Sequence, residues 1–106
     1  MREMTTDECR SYLENAEVQP LLLDVREPWE YNIVHLEHSR LLPMRQVPME
    51  LDSLDRDQEI VVLCHHGIRS RQVALFLEQH GFTNVVNLTG GIDAWARHTD
   101  TSLATY

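Results

Sequence analysis

Five consecutive apolar residues, Ile60-Val61-Val62-Leu63-Cys64, run directly into the polar stretch His65-His66-Gly67-Ile68-Arg69 and then a helical pattern. A short, unbroken, β-branched run of this kind is the signature of a strand covered on both faces. Leu21-Leu22-Leu23-Asp24-Val25 repeats it, while Leu41-Leu42-Pro43 and Asn84-Val85-Val86-Asn87-Leu88 add two shorter strands. Helical patterns fill the spaces between. Thr5 and Glu8 have the spacing of a capping box and open a helix with Cys9, Tyr12, Leu13 and Ala16 on one face. Pro28 suits the first turn of a short helix carrying Trp29 and Tyr31. Residues 49–54 have weak helical spacing and precede a polar turn, Asp55-Arg56-Asp57. The clearest helix is predicted over residues 70–80, with Val73, Phe76, Leu77 and His80 facing inward and Gly81 as its stop. Gly90-Gly91 leads into a last helix bearing Ile92 and Trp95. Strands alternating with helices predict an α/β fold with a mostly parallel central sheet, and 106 residues suit one domain over 1–106.

Charge narrows the function. All nine basic residues are Arg, against seventeen acidic ones, giving a net charge of −8. That balance argues against nucleic acid or a membrane surface as partner, since both want a basic face. With no Lys, neither Schiff-base chemistry nor a phosphate-loop lysine is available. The apolar runs fall far short of the roughly 18 residues a membrane span needs. The N-terminal residues are polar and acidic, unlike a secretory signal, so a cytoplasmic location is expected. Two cysteines are too few for a disulfide framework, and Cys9 reads as a small core residue.

In parallel sheets, ligands bind beyond the carboxyl ends of the strands. Cys64 ends the best strand there, and a helix follows within about five residues. Gly67 allows successive N–H groups to converge, and the helix N-terminus adds unpaired donors at the same place. A thiol so placed is expected to be held partly as thiolate. Arg69, at the rim of this loop, has a fork suited to an oxyanion, although a surface pair with an acidic neighbour is a common fate. His65 and His66 are expected to fill loop positions, lend backbone N–H groups and shape the pocket mouth. Cys64 with His66 falls short of a zinc site, so no metal or cofactor is expected.

Together, Leu22-Leu23-Asp24-Val25-Arg26-Glu27, Cys64-His65-His66-Gly67-Ile68-Arg69-Ser70, Gly81-Phe82 and Gly90-Gly91-Ile92-Asp93-Ala94-Trp95 resemble the rhodanese (sulfurtransferase) family in order and spacing. The resemblance implies a five-stranded, mostly parallel sheet flanked by helices on both faces. It implies Cys64 as the sulfur-carrying nucleophile, residues 65–69 as the active loop that binds substrate together with Ser70 at the helix entry, and Asp24 and Arg26 in support beneath it. One segment departs from the family: Val34-His35-Leu36-Glu37-His38-Ser39 lacks both glycines of Gly-His-Ile-x-Gly-Ala, so a different turn path is expected there.

The leading reading is sulfur transfer through a Cys64 persulfide, from a small anionic donor such as thiosulfate, or a persulfide, to a thiol, protein or cyanide acceptor. A persulfide carrier working only with a partner protein stands beside it. A cysteine phosphatase or arsenate reductase is disfavoured because Arg69 falls one residue too early and position 70 is Ser. A non-catalytic regulatory module is disfavoured because the cysteine and its loop are both present.

Overall fold

The apolar runs become the central strands of one sheet in the computed structural model, which describes residues 1–106. In chain order the elements are β1 (Arg2–Met4), α1 (Thr6–Asn15), β2 (Leu21–Asp24), α2 (Pro28–Ile33), β3 (Ser39–Leu41), a 3-10 helix (Met44–Ser53), β4 (Ile60–Leu63), α3 (Ile68–Gln79), β5 (Val85–Leu88) and α4 (Gly91–Ala94). A π-helical turn over Trp95–Thr99 continues α4. The sheet order is β1-β5-β4-β2-β3 and every pairing is parallel. No helix is long and apolar enough to cross a membrane.

Alternation along the strands divides the core in two. Leu23, Ile60, Val62 and Val85 face one side, where Val73, Ala74 and Leu77 of α3 cover them with Val47 and Leu54. Leu22, Val61, Leu63, Val86 and Leu88 face the other, under Cys9 of α1, Ile92 and Trp95. Each fully buried Leu or Val contributes about 1.5–3 kcal/mol of apolar burial, which is why both faces must be covered. Cys9 and Cys64 are buried, free and in opposite halves of this core, so no bridge joins them. The predicted capping box is present: Glu8 N–H donates to Thr5 Oγ1 at 3.2 Å and Thr5 N–H donates to Glu8 Oε1 at 3.1 Å.

Several expectations change. β1 is an added edge strand; it is mostly exposed and takes its form from pairing with β5 rather than from an apolar pattern. The third strand is Ser39–Leu41, earlier than Leu41-Leu42-Pro43 implies; Leu42 N–H still donates to the Asp24 carbonyl at 2.8 Å, and Pro43, which has no N–H, ends the pairing. The weak helix of residues 49–54 belongs to a 3-10 helix that starts at Met44 and contains Pro48. α3 begins at Ile68, and its buried face is Ser70, Val73, Ala74 and Leu77. Phe76 is half-buried against the core, whereas His80, expected to face inward, is exposed, because it caps the helix end and its ring lies against Phe76 at a centroid distance of 4.2 Å. In the segment without glycines, His38 itself takes φ 65°, so a left-handed turn survives there.

Candidate active site

Cys64 sits one residue past β4, at the carboxyl edge of the sheet. Beyond it the backbone must reverse into α3 within three residues. Gly67 makes this possible at φ 98°, and a Cβ there would stand 3.2 Å from the Gly90 nitrogen. The loop is also held from the opposite side. Ile92 N–H donates to the Cys64 carbonyl at 2.9 Å, and Asp93 N–H donates to that of His65 at 3.0 Å. Such an approach requires Gly91: a Cβ would lie 2.5 Å from both of those carbonyl oxygens. The Gly90-Gly91 pair thus seats α4 under the loop.

The Cys64 sulfur is 1% exposed as a residue and faces the first turn of α3. It accepts the N–H of Gly67 at 3.1 Å and that of Ser70 at 3.3 Å. Its thiol also donates to Ser70 Oγ at 3.3 Å. The Ser70 hydroxyl donates onward to Asn87 Oδ1 at 2.5 Å, and Asn87 Nδ2 donates to the Gly67 carbonyl at 3.3 Å. Ser70 thus stands against the sulfur at the helix entry. The arrangement presents amide donors to a buried sulfur, which is what an anionic sulfur requires in a water-poor site.

The two histidines differ. The His65 ring lies parallel to that of Tyr106, with centroids 3.9 Å apart, and against His66 at 3.9 Å. Its Nε2 is buried without a hydrogen-bond partner. Burial and the neighbouring His66 lower its pKa, which favours the neutral ring. His66 is exposed, with Nε2 3.8 Å from Asp93 Oδ2. His65, His66 and Asp93 bring ligand-type atoms within 4.8 Å of one another. However, Arg97 Nε already donates to both Asp93 oxygens at 3.0 Å, and His65 is confined between two rings. Ile68 is largely exposed at the rim.

Arg69 departs most from expectation. Its two terminal nitrogens donate to the two carboxylate oxygens of Glu30, at 2.7 and 2.8 Å. The fork anticipated for a sulfonate is held by this residue of α2. Glu30 is 3% exposed and also accepts the Tyr106 hydroxyl at 2.7 Å and the Glu27 N–H at 3.0 Å. The Arg69 guanidinium is the main reason its pKa drops to about 2. Glu30 in turn raises that of Arg69. Arg45, which shares a hollow of about 370 Å³ with Arg69, Val25, Glu27 and Met44, is paired with Glu27 at 2.5 Å.

Asp24 and Arg26 are both 0% exposed and paired at 2.7 Å. Arg26 also donates to the carbonyls of Val34 at 2.7 Å and Glu30 at 3.3 Å, and to the Tyr106 hydroxyl at 2.9 Å. The pair thus anchors α2 and Tyr106, which bear on the loop at Arg69 and His65. Sequence reasoning passed over Glu30, Asn87 and Tyr106. Asn87 carried a signal, a polar residue inside an apolar strand, and Glu30 occupied the capping position three residues after Glu27. Tyr106 carried none.

Comparison with known proteins agrees with the fold. Residues 5–98 match the Rhodanese-like domain family. A sulfurtransferase of Allochromatium vinosum is 40% identical over 78 residues, covering 74% of this chain and 73% of that protein. Thiosulfate sulfurtransferase GlpE of Vibrio cholerae is 32% identical over 79 residues, 74% of each chain. Other relatives are longer proteins, of which the chain spans 30% or 26%. The crystal structure of a rhodanese-like domain protein from Staphylococcus aureus superposes with a TM-score of 0.85 at 30% identity, covering 100% of this chain and 99% of that one.

Proposed function

Given that the chain belongs to the Rhodanese-like domain family, a transferase family of the rhodanese type, we propose that it carries sulfane sulfur as a persulfide on Cys64. In the first half-reaction the Cys64 thiolate attacks the outer sulfur of thiosulfate or of a persulfide. The Sγ–S bond forms as the donor's S–S bond breaks, and the bonding pair leaves on sulfite or on the donor thiolate. In the second, a thiol, a protein cysteine or cyanide attacks the outer sulfur, and the pair returns to Cys64.

One observation carries the reading: Cys64 Sγ accepts two backbone N–H groups, from Gly67 and Ser70, at the start of α3. Those donors stabilise negative charge on the sulfur in the thiolate and, by a small shift outward, on the persulfide. His65, His66 and Ile68 complete the loop, and Asp24 and Arg26 brace it through Tyr106 and α2. The names of the relatives from Allochromatium vinosum and Vibrio cholerae, a sulfurtransferase and a thiosulfate sulfurtransferase, support sulfur transfer as the reaction class.

Intact-mass measurement after incubation with thiosulfate or an alkyl persulfide tests the reading. Wild type and Cys9→Ser should gain one sulfur atom, and Cys64→Ser should gain none. Sulfur retained by Cys64→Ser, or mapped to Cys9, refutes it.

A further inference from the structure

Thiosulfate and alkyl persulfides deliver the same sulfur but differ in what must be held beside it. Thiosulfate brings a sulfonate group, with three oxygens and a formal negative charge next to the sulfur under attack. An alkyl persulfide brings a neutral carbon chain. A site that prefers thiosulfate needs a cationic fork free to receive that sulfonate.

Three guanidinium groups around this loop, those of Arg69, Arg45 and Arg97, are engaged by carboxylates. Arg69 gives both terminal nitrogens to Glu30, and Arg45 pairs with Glu27. Arg97, below the loop, pairs with Asp93. Arg71 lines a hollow with His66, Gly67 and Ile68 of the loop, where the Glu3 carboxylate also stands and which Cys64 does not line. Nor is the Arg69–Glu30 contact a loose surface pair. Glu30 is 3% exposed, and three further contacts fix its place: the Tyr106 hydroxyl, the Glu27 N–H, and Arg26 on its own carbonyl. For a sulfonate to take the fork, Glu30 would be left as a buried carboxylate without its guanidinium, which is costly. The chain's net charge of −8 adds no long-range attraction for a dianion.

We infer that Glu30 is a specificity-determining residue: by occupying the Arg69 fork it directs the Cys64 site towards alkyl persulfide donors and against sulfonate-bearing ones. The inference rests on the sulfur-transfer reading above and adds the donor class to it. Tyr106 is a positioning residue in this scheme, since its hydroxyl donates to Glu30 while its ring rests on His65.

The test compares kcat/KM for thiosulfate and for 2-mercaptoethanol persulfide, with cyanide as the common acceptor. Wild type, Glu30→Gln, Arg69→Met and the double variant are measured. Wild type should favour the persulfide, and Arg69→Met should move the thiosulfate-to-persulfide ratio by less than about threefold, because no charged contact to sulfonate is lost. Glu30→Gln should raise that ratio about tenfold or more as the fork is released, the effect of a gained charged hydrogen bond. The double variant should return to the wild-type ratio, which shows that the gain passes through Arg69. The idea is overturned if Arg69→Met alone lowers thiosulfate turnover about tenfold while sparing the persulfide. It is equally overturned if folded Glu30→Gln keeps the wild-type ratio. Should Glu30→Gln not fold, the Arg69→Met ratio in an otherwise wild-type chain decides the matter. Failure of Cys64 to load from either donor refutes sulfur transfer itself, an outcome separate from a wrong donor preference.

Discussion

Replacing Glu30 by Gln should destabilise the fold in a manner that depends on pH. Arg69, with help from Glu27 and Tyr106, draws the Glu30 carboxyl from an ordinary 4.5 down to about 2. At about 1.36 kcal/mol per pH unit, that difference corresponds to about 3 kcal/mol of native-state preference for the charged form. The carboxylate is 4% exposed, so water screens little of it, but the Arg69 side chain is 35% exposed and regains hydration when the pair is lost. A net loss of between about 2 and 3 kcal/mol at neutral pH follows. The sign is that of a depressed carboxyl. The stabilisation is fully present above 4.5, fades as the pH falls, and is gone near 2. Urea unfolding of wild type and Glu30→Gln at a series of pH values measures it. Other carboxylates titrate alike in both proteins, so the difference isolates Glu30. The gap should be widest at neutral pH and close as the pH drops below about 4. A gap that stays constant with pH, or stays below about 1 kcal/mol at neutrality, would refute a buried, charge-assisted Glu30–Arg69 pair.

Two other consequences are readily measured. Burial, reinforced by Glu59, pushes the Cys9 thiol up to about 11, so in the native protein at neutral pH iodoacetamide should label Cys64 well before Cys9; peptide mapping that finds Cys9 labelled first contradicts this placement. Gly91→Ala should cost roughly 2 kcal/mol or more and impair sulfur loading, because the new Cβ would meet the Cys64 and His65 carbonyl oxygens at 2.5 Å. A thermal unfolding midpoint unchanged from wild type would show that α4 does not seat the loop as described.

Local patterns in the chain were enough to indicate β2, β4 and β5, the capped start of α1, and the loop that carries Cys64 into α3. Each depends on contacts between near neighbours in sequence: an apolar run, a cap three residues away, a glycine able to take a positive φ. The order of motifs then made the rhodanese resemblance readable across most of the chain. Cys64 and Gly67 belong to that short-range information, and the sulfur's two amide donors come from residues within six positions of it.

What the loop's charged and aromatic residues do was decided elsewhere. Arg69 meets Glu30 across 39 residues, and Tyr106 reaches Arg26 across 80. A guanidinium suits a sulfonate and a carboxylate equally well, so its residue type and spacing could not say which it holds. Only the placement of α2 beside the loop, through the buried Asp24–Arg26 pair, supplies the carboxylate. β1 belongs with these features. Its polar, exposed residues carry no strand pattern, and it becomes a strand because β5, more than eighty residues away, offers it an unpaired edge. Periodicity records which side of an element is buried, whereas the identity of the group packed against it depends on how distant segments come together.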